Sequence, residues 1–275
     1  MPIKELQVAE EREAPCPCGG VIRYRPIFFG GRESTIRPKL CPACLERQRV
    51  DAEHAVEQEQ ADRLDRERTN REARRLELLQ AMTGNAAEHR DMTLANFDAT
   101  DCGRDVVLKA QAFFDEMRAA GPYDPVRGLL LWGDTGNGKT HLAVAGVNEL
   151  LLDPTVQPSD IVFDRADELI MRIQDTYGSG RSTFEDVMDR RFNARLWILD
   201  ELGTEKASED AARLLTLIFS RRALRPTIVT TNDDPAKLHD ARPELRRVIS
   251  RFGPRYFRVV RMVGRDRRFD RPSAA

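Results

Sequence analysis

The chain has 275 residues, 41% of them hydrophobic and 32% charged, with a formal net charge of −1. That is enough apolar material for one large or two modest domains, and the near-neutral sum excludes a polycation acting through bulk charge. No apolar run approaches the roughly 20 residues that span a bilayer, and the charged residues 1–13 hold no apolar signal core, so a cytoplasmic protein with no membrane partner is expected.

The first predicted unit is a small cysteine-rich module over residues 1–45, with short β-like runs such as Val21-Ile22-Arg23-Tyr24. Cys16 and Cys18 form a C-x-C pair, and Cys41 and Cys44 a C-x-x-C pair. Four thiolates complete a tetrahedral Zn²⁺ shell, and Gly19 with the interleaved prolines suits the tight knuckles that aim the sulfurs inward. A segment this small buries too little apolar surface to fold alone, and structural zinc contributes an apparent ~10–16 kcal/mol to folding. An iron–sulfur cluster or redox thiols remain the alternatives. Disulfides are disfavoured in a reducing compartment. Cys102 stands apart from both pairs.

Residues 46–89 read as a charged helical linker. From Leu45 to Met82 there is no Pro or Gly, and Glu, Arg, Gln, Asp and Ala dominate. Apolar positions are too sparse for the sustained heptad seam of a coiled coil, so the run predicts a helix laced with charge pairs.

From residue 90 to 275, predicted strands and helices alternate. Strands are expected at Gly128-Leu129-Leu130-Leu131-Trp132, Ile161-Val162-Phe163, Leu196-Trp197-Ile198-Leu199, Thr227-Ile228-Val229-Thr230 and Phe257-Arg258-Val259-Val260. Helices are expected around 106–117, after residue 140, at 166–176 and at 211–224. This order implies an α/β fold, a parallel sheet with helices on both faces, with ligands at the carboxyl ends of its strands.

The first strand runs into Gly133-Asp134-Thr135-Gly136-Asn137-Gly138-Lys139-Thr140, which fits G-x-x-x-x-G-K-[ST]. Glycines let successive N–H groups converge on a polyphosphate, and the following helix, with His141 in its first turn, adds the positive end of its dipole. Lys139 is expected to reach the β- and γ-phosphates of ATP, and the Thr140 hydroxyl to hold Mg²⁺. About sixty residues on, an apolar strand ends in Asp200-Glu201, the Walker B arrangement. Asp200 is expected to hold Mg²⁺, and Glu201 to orient and deprotonate the attacking water. Asn232, at the end of the next strand, is placed to hold that water beside the γ-phosphate, although Asn232-Asp233-Asp234-Pro235 is also good turn chemistry.

Residues 242–271 carry eleven arginines against Glu244, Asp266 and Asp270. Within them, helical spacing over 246–253 puts Arg247 and Arg251 on one face. An arginine delivered to a neighbour's γ-phosphate is worth roughly 10³–10⁵ in rate.

With these residues in view, the stretch from Thr93 to Arg268 resembles the AAA+ ATPases of the replicative helicase loader group, the DnaC/DnaI type, and is similar to IstB-type transposition ATPases of the same clade. The matches are Met92 to Asp98 before the core, Gly136 to Leu142, Arg225 to Asn232, Val248 to Phe252, and Gly264 to Arg268. The resemblance implies an ATP hydrolase with no separate lid domain, self-association into a ring or spiral, Arg251 as the finger, Arg268 as a second sensor arginine, and single-stranded DNA contacts within 166–191, including Arg172, Tyr177, Arg181 and Phe184. It implies a replicative DNA helicase as partner of the amino-terminal module, or a DNA transposase on the IstB alternative. A third reading is a zinc-dependent DNA-binding adaptor whose ATPase is vestigial. The loaders often carry Asp-Asp where this chain has Asp200-Glu201, a departure that favours real hydrolysis.

Overall fold

The computed structural model describes residues 7–8, 10–29, 32–33, 39–121, 124–179, 182–203, 209–237, 243 and 246–266. The chain divides into two compact units, Met1–Thr69 and Asn70–Ala275.

In the first unit, β1 (Gln7–Val8), β4 (Ile27–Phe29) and β5 (Arg32–Glu33) form one antiparallel sheet, while β2 (Arg12–Pro15) pairs with β3 (Val21–Tyr24). The β2–β3 connection closes tightly: Cys16 N–H donates to Gly20 O (2.8 Å) and Gly19 N–H to Cys16 O (2.9 Å), with Gly19 at φ +87°. The long helix α1 (Pro42–Thr83) starts on a proline, whose missing N–H costs nothing at a first helical position. From Leu45 to Asn70 its side chains are exposed all round. Pairs at i,i+4 such as Arg49–Glu53 (3.4 Å) and Arg63–Glu67 (3.0 Å) support this stretch, each by about 0.2–0.5 kcal/mol.

From Asn70 the helix belongs to the second unit and behaves differently. Leu79 and Met82 are buried in its core. Arg71 donates to the carbonyls of Leu151 (2.7 Å), Asp153 (2.8 Å) and Pro154 (3.0 Å) just past the end of α4 (Lys139–Leu150), where a cation meets the negative end of the helix dipole. The charge-rich sequence hides this change, because Arg71 and Arg75 look like the arginines of the solvated half.

The sheet of the second unit has the order β10-β6-β9-β8-β7 among the described residues, and every pairing is parallel. Its strands are β6 (Gly128–Trp132), β7 (Ile161–Arg165), β8 (Leu196–Leu202), β9 (Thr227–Thr231) and β10 (Phe257–Arg261), each where the sequence predicts one. The run Leu129-Leu130-Leu131 is explained by its two faces. Leu129 and Leu131 join the core with α3 (Arg104–Ala119) and α4, whereas Leu130 joins the opposite core with α5 (Ala166–Ser179), α6 (Phe184–Asn193) and α7 (Glu209–Arg221). A strand buried on both faces reads as a continuous apolar run. Helix α4 lies so close to α3 that a Cβ at Gly146 would fall 1.8 Å from the Phe114 ring.

Two buried charges fix α6 to the sheet. Asp164 in β7, 4% exposed, accepts from Arg191 Nη2 (2.6 Å) and Nε (2.9 Å) and from Trp197 Nε1 (2.8 Å). Arg222 is 2% exposed and donates to the carbonyls of Arg191, Phe192 and Ala194, where α6 ends. Burial, and then the neighbouring charge of Arg225, pull its pKa down to about 9.

The helical face expected for Arg247 and Arg251 is not formed. One turn, α8 (Arg246–Ile249), gives way to a 3₁₀ turn at Ser250–Phe252. Gly253-Pro254 cannot continue a helix, and the tighter turn seats Phe252 against Phe219 (5.0 Å) and Phe257 (5.2 Å). Arg268 and Arg181 lie outside the described residues. Among the described residues no helix is long and apolar enough to cross a membrane.

Candidate functional site

The loop between β6 and α4 leaves the carboxyl end of the sheet through Gly133 (φ +144°) and Gly138 (φ +89°), backbone conformations that side chains disfavour. Lys139 is 7% exposed, and its ammonium donates to Gly133 O (2.7 Å), Asp134 O (2.8 Å) and Asn137 Oδ1 (3.2 Å).

Opposite the loop, β8 and β9 slip by a residue between Leu199 and Leu202. Glu201 takes φ +55° inside this bulge. In a regular strand, neighbouring side chains face opposite ways. The bulge brings both Asp200 and Glu201 to the same cavity. One hydroxyl ties them together: Thr230 Oγ1 donates to Asp200 Oδ1 (2.5 Å) and accepts from the Glu201 N–H (2.9 Å). Thr140 Oγ1 donates to the same carboxylate at 3.0 Å from Oδ1. The two predicted magnesium-holding residues are therefore already in contact.

A cavity of about 710 Å³ opens here, with Gly136, Gly138, Lys139, Thr140, His141, Asp200, Glu201 and Asn232 in its walls. Gly133, Asp134, Thr135 and Asn137 shape the loop behind it. Arg251 is not part of these walls; its guanidinium sits 6.0 Å from the Tyr256 ring. Sequence reasoning missed two contributors. Arg165, at the carboxyl end of β7, donates from Nη2 to Glu201 Oε2 at 2.5 Å; its place at a strand end was the available signal. The other is the end of α1 and the short helix α2 (Ala86–His89) that follows it, with Thr83, Asn85 and His89, where His89 is buried and its ring lies 4.5 Å from that of His141. Only tertiary packing brings that wall in.

Of the residues expected to touch single-stranded DNA, Arg172 is exposed yet paired with Glu168 (3.2 Å), and Tyr177 is exposed. Phe184 packs inward, its ring 6.3 Å from Phe192.

In the first unit the four sulfurs of Cys16, Cys18, Cys41 and Cys44 lie within 4.8 Å of one another. Cys16–Cys44 is 3.8 Å and Cys18–Cys41 3.6 Å. Zinc–sulfur bonds of about 2.3 Å in a tetrahedron require S···S edges of about 3.8 Å, so the donor set fits zinc. These separations are far beyond a disulfide bond. The N–H groups of Cys18 and Cys41, turned toward the Cys16 sulfur, pull its pKa down to about 6, and hydrogens shared with Cys18 and Cys41 push Cys44 up to about 12.

A parallel five-stranded sheet with a phosphate loop after β6, paired acids at the end of β8 and an asparagine after β9 defines an ATPase of the AAA+ class. The IstB-like ATP binding protein family matches residues 42–241, and the chain belongs to that family. The replicative helicase loader DnaC of Escherichia coli (strain K12) is 25% identical over 149 residues, 53% of this chain and 57% of that protein. The chain thus spans about half the length of the curated relatives it matches. Among solved structures, the DnaC helicase loader covers 64% of this chain and 99% of its own at TM-score 0.53 and 22% identity. DnaI covers 64% and 93% at TM-score 0.51 and 24% identity. Both likenesses concern the fold.

Proposed function

We propose that the protein hydrolyses ATP in a self-assembled ring or spiral and uses the cycle to load a replicative DNA helicase onto single-stranded DNA. The observation that carries this reading is the contact chain Thr140–Asp200–Thr230–Glu201 facing Lys139 across one cavity. Gly133, Asp134, Thr135, Gly136, Asn137 and Gly138 wrap the polyphosphate with their backbone, His141 follows in the helix, and Lys139 neutralises it. Thr140 and Asp200 would hold Mg²⁺, which would supply neutralising charge to the polyphosphate. Glu201 takes the proton of the attacking water, and Asn232 holds that water in line. Arg165 must turn away first, because its guanidinium occupies Glu201 Oε2, an oxygen that would meet the water. Arg251 lies away from its own cavity, in keeping with service in a neighbour's, and Arg268 serves as the second sensor.

The DnaC relative and the residue matches support a loader; membership of the IstB-like family keeps a transposase as the second client. The test is reconstitution of the full chain with a hexameric replicative helicase on single-stranded DNA. ATP-dependent capture and helicase deposition are expected. Capture of a transposase with no response to the helicase would overturn the loader reading.

We assign zinc to Cys16, Cys18, Cys41 and Cys44, in a module that engages the helicase. Stoichiometric zinc is expected in the purified protein by metal analysis. Cys41→Ser should lose the metal and helicase capture while keeping ATP binding. Iron in place of zinc, or capture that survives metal loss, would refute the assignment.

A further inference from the structure

Asn137 does something a phosphate-loop residue at this position has no need to do. It is 3% exposed, and its side chain is bonded in two directions. Nδ2 donates to Met262 O at 2.7 Å, and Oδ1 accepts from Lys139 Nζ at 3.2 Å. Met262 lies just beyond β10, where its N–H donates to Trp132 O at 2.7 Å. The chain then runs over the phosphate loop. A Cβ at Gly133 would fall 2.0 Å from Met262 O, and one at Gly136 would fall 1.8 Å from Asp266 Oδ1. Gly264 lies against Asn137 and Asp101, and Arg265 pairs with Asp101 at 3.5 Å.

We propose that Asn137 is a positioning residue that latches segment 262–266 to the phosphate loop through Lys139, and that ATP binding releases the latch. Two effects act in the same direction. Lys139 turns to the phosphates and gives up its bond to Asn137, leaving a buried amide oxygen without that donor, so the side chain reorients and its bond to Met262 O goes with it. The polyphosphate also brings negative charge to a loop against which the Asp266 carboxylate already lies, and like charges at this range repel. The inference rests on the ATP site proposed above and adds a mechanical output to it: the segment leading to the carboxyl-terminal arginines registers nucleotide occupancy.

Hydrogen exchange on the wild-type chain, with and without Mg²⁺ and a non-hydrolysable ATP analogue, tests this directly. Amides of residues 262–266, led by the Met262 N–H that is bonded to Trp132 O, are expected to exchange about tenfold faster with nucleotide, the effect of roughly one lost hydrogen bond. Asn137→Asp separates the two bonds, since a carboxylate still accepts from Lys139 but cannot donate to Met262 O. In that variant 262–266 should exchange fast without nucleotide and respond no further. Its ATP affinity should fall more than its kcat, because Lys139 is then held by an ion pair. Unchanged exchange at 262–266 in wild-type protein that binds the analogue overturns the latch, as does a normal nucleotide response in Asn137→Asp. Failure to bind the analogue at all overturns the site reading itself and the latch with it, so the two failures are distinguishable.

Discussion

Lys139→Ala is expected to abolish ATP binding at working concentrations. Lys139 is 7% exposed and lines a cavity in which no other described lysine takes part. Removing one partner of a buried charge-assisted contact costs about 2–5 kcal/mol, which is roughly 30- to 4,000-fold in affinity. The folded chain should tolerate the change, because the three acceptors Lys139 gives up lie on the loop outside both apolar cores, and the freed Asn137 amide reorients as it does when the latch releases. Titration of a fluorescent ATP analogue gives the affinity, and a thermal melt without nucleotide checks the fold. Wild-type affinity in a folded Lys139→Ala protein would mean that the cavity is not the nucleotide site.

Glu201→Gln should separate binding from chemistry. Lys139, Thr140 and Asp200 keep their contacts, so ATP affinity stays within a few-fold of wild type. Turnover should fall by about 10²–10⁴, the usual contribution of a positioned general base. The glutamine can still accept from Arg165, but as a neutral group in place of an ion pair of 2.5 Å. Steady-state phosphate release, measured beside analogue binding, checks both halves. Undiminished hydrolysis would remove Glu201 from the mechanism.

Much of this site could be read from residue order alone. The phosphate loop, the acids of β8 and Asn232 announce themselves because each sits where an apolar run stops, and a parallel sheet collects such ends on one edge. The cysteine cluster was legible for a different reason: thiols at C-x-C and C-x-x-C spacing have few other uses in a small module. The turn at 250–252 was not legible, since arginine spacing says nothing about where Phe252 must go. The wall formed by Thr83, Asn85 and His89 was not legible either. It follows a helix whose exposed and buried halves share one composition, and burial there is decided by α4, about sixty residues later. The bonds of Asn137 escaped because its partner, Met262, is 125 positions away.

The slipped pairing of β8 with β9 also sets a counting rule for mutation. Both acids meet the cavity because one extra residue lies between Leu199 and Leu202. Loss of a single residue there would restore an unbroken alternation and turn one acid to the far side of the sheet. Gain of one would shift the frame again. Lineages carrying this strand should therefore vary freely in which apolar residues fill it while rejecting length changes of one, a constraint on insertions and deletions far stricter than the one on side-chain identity.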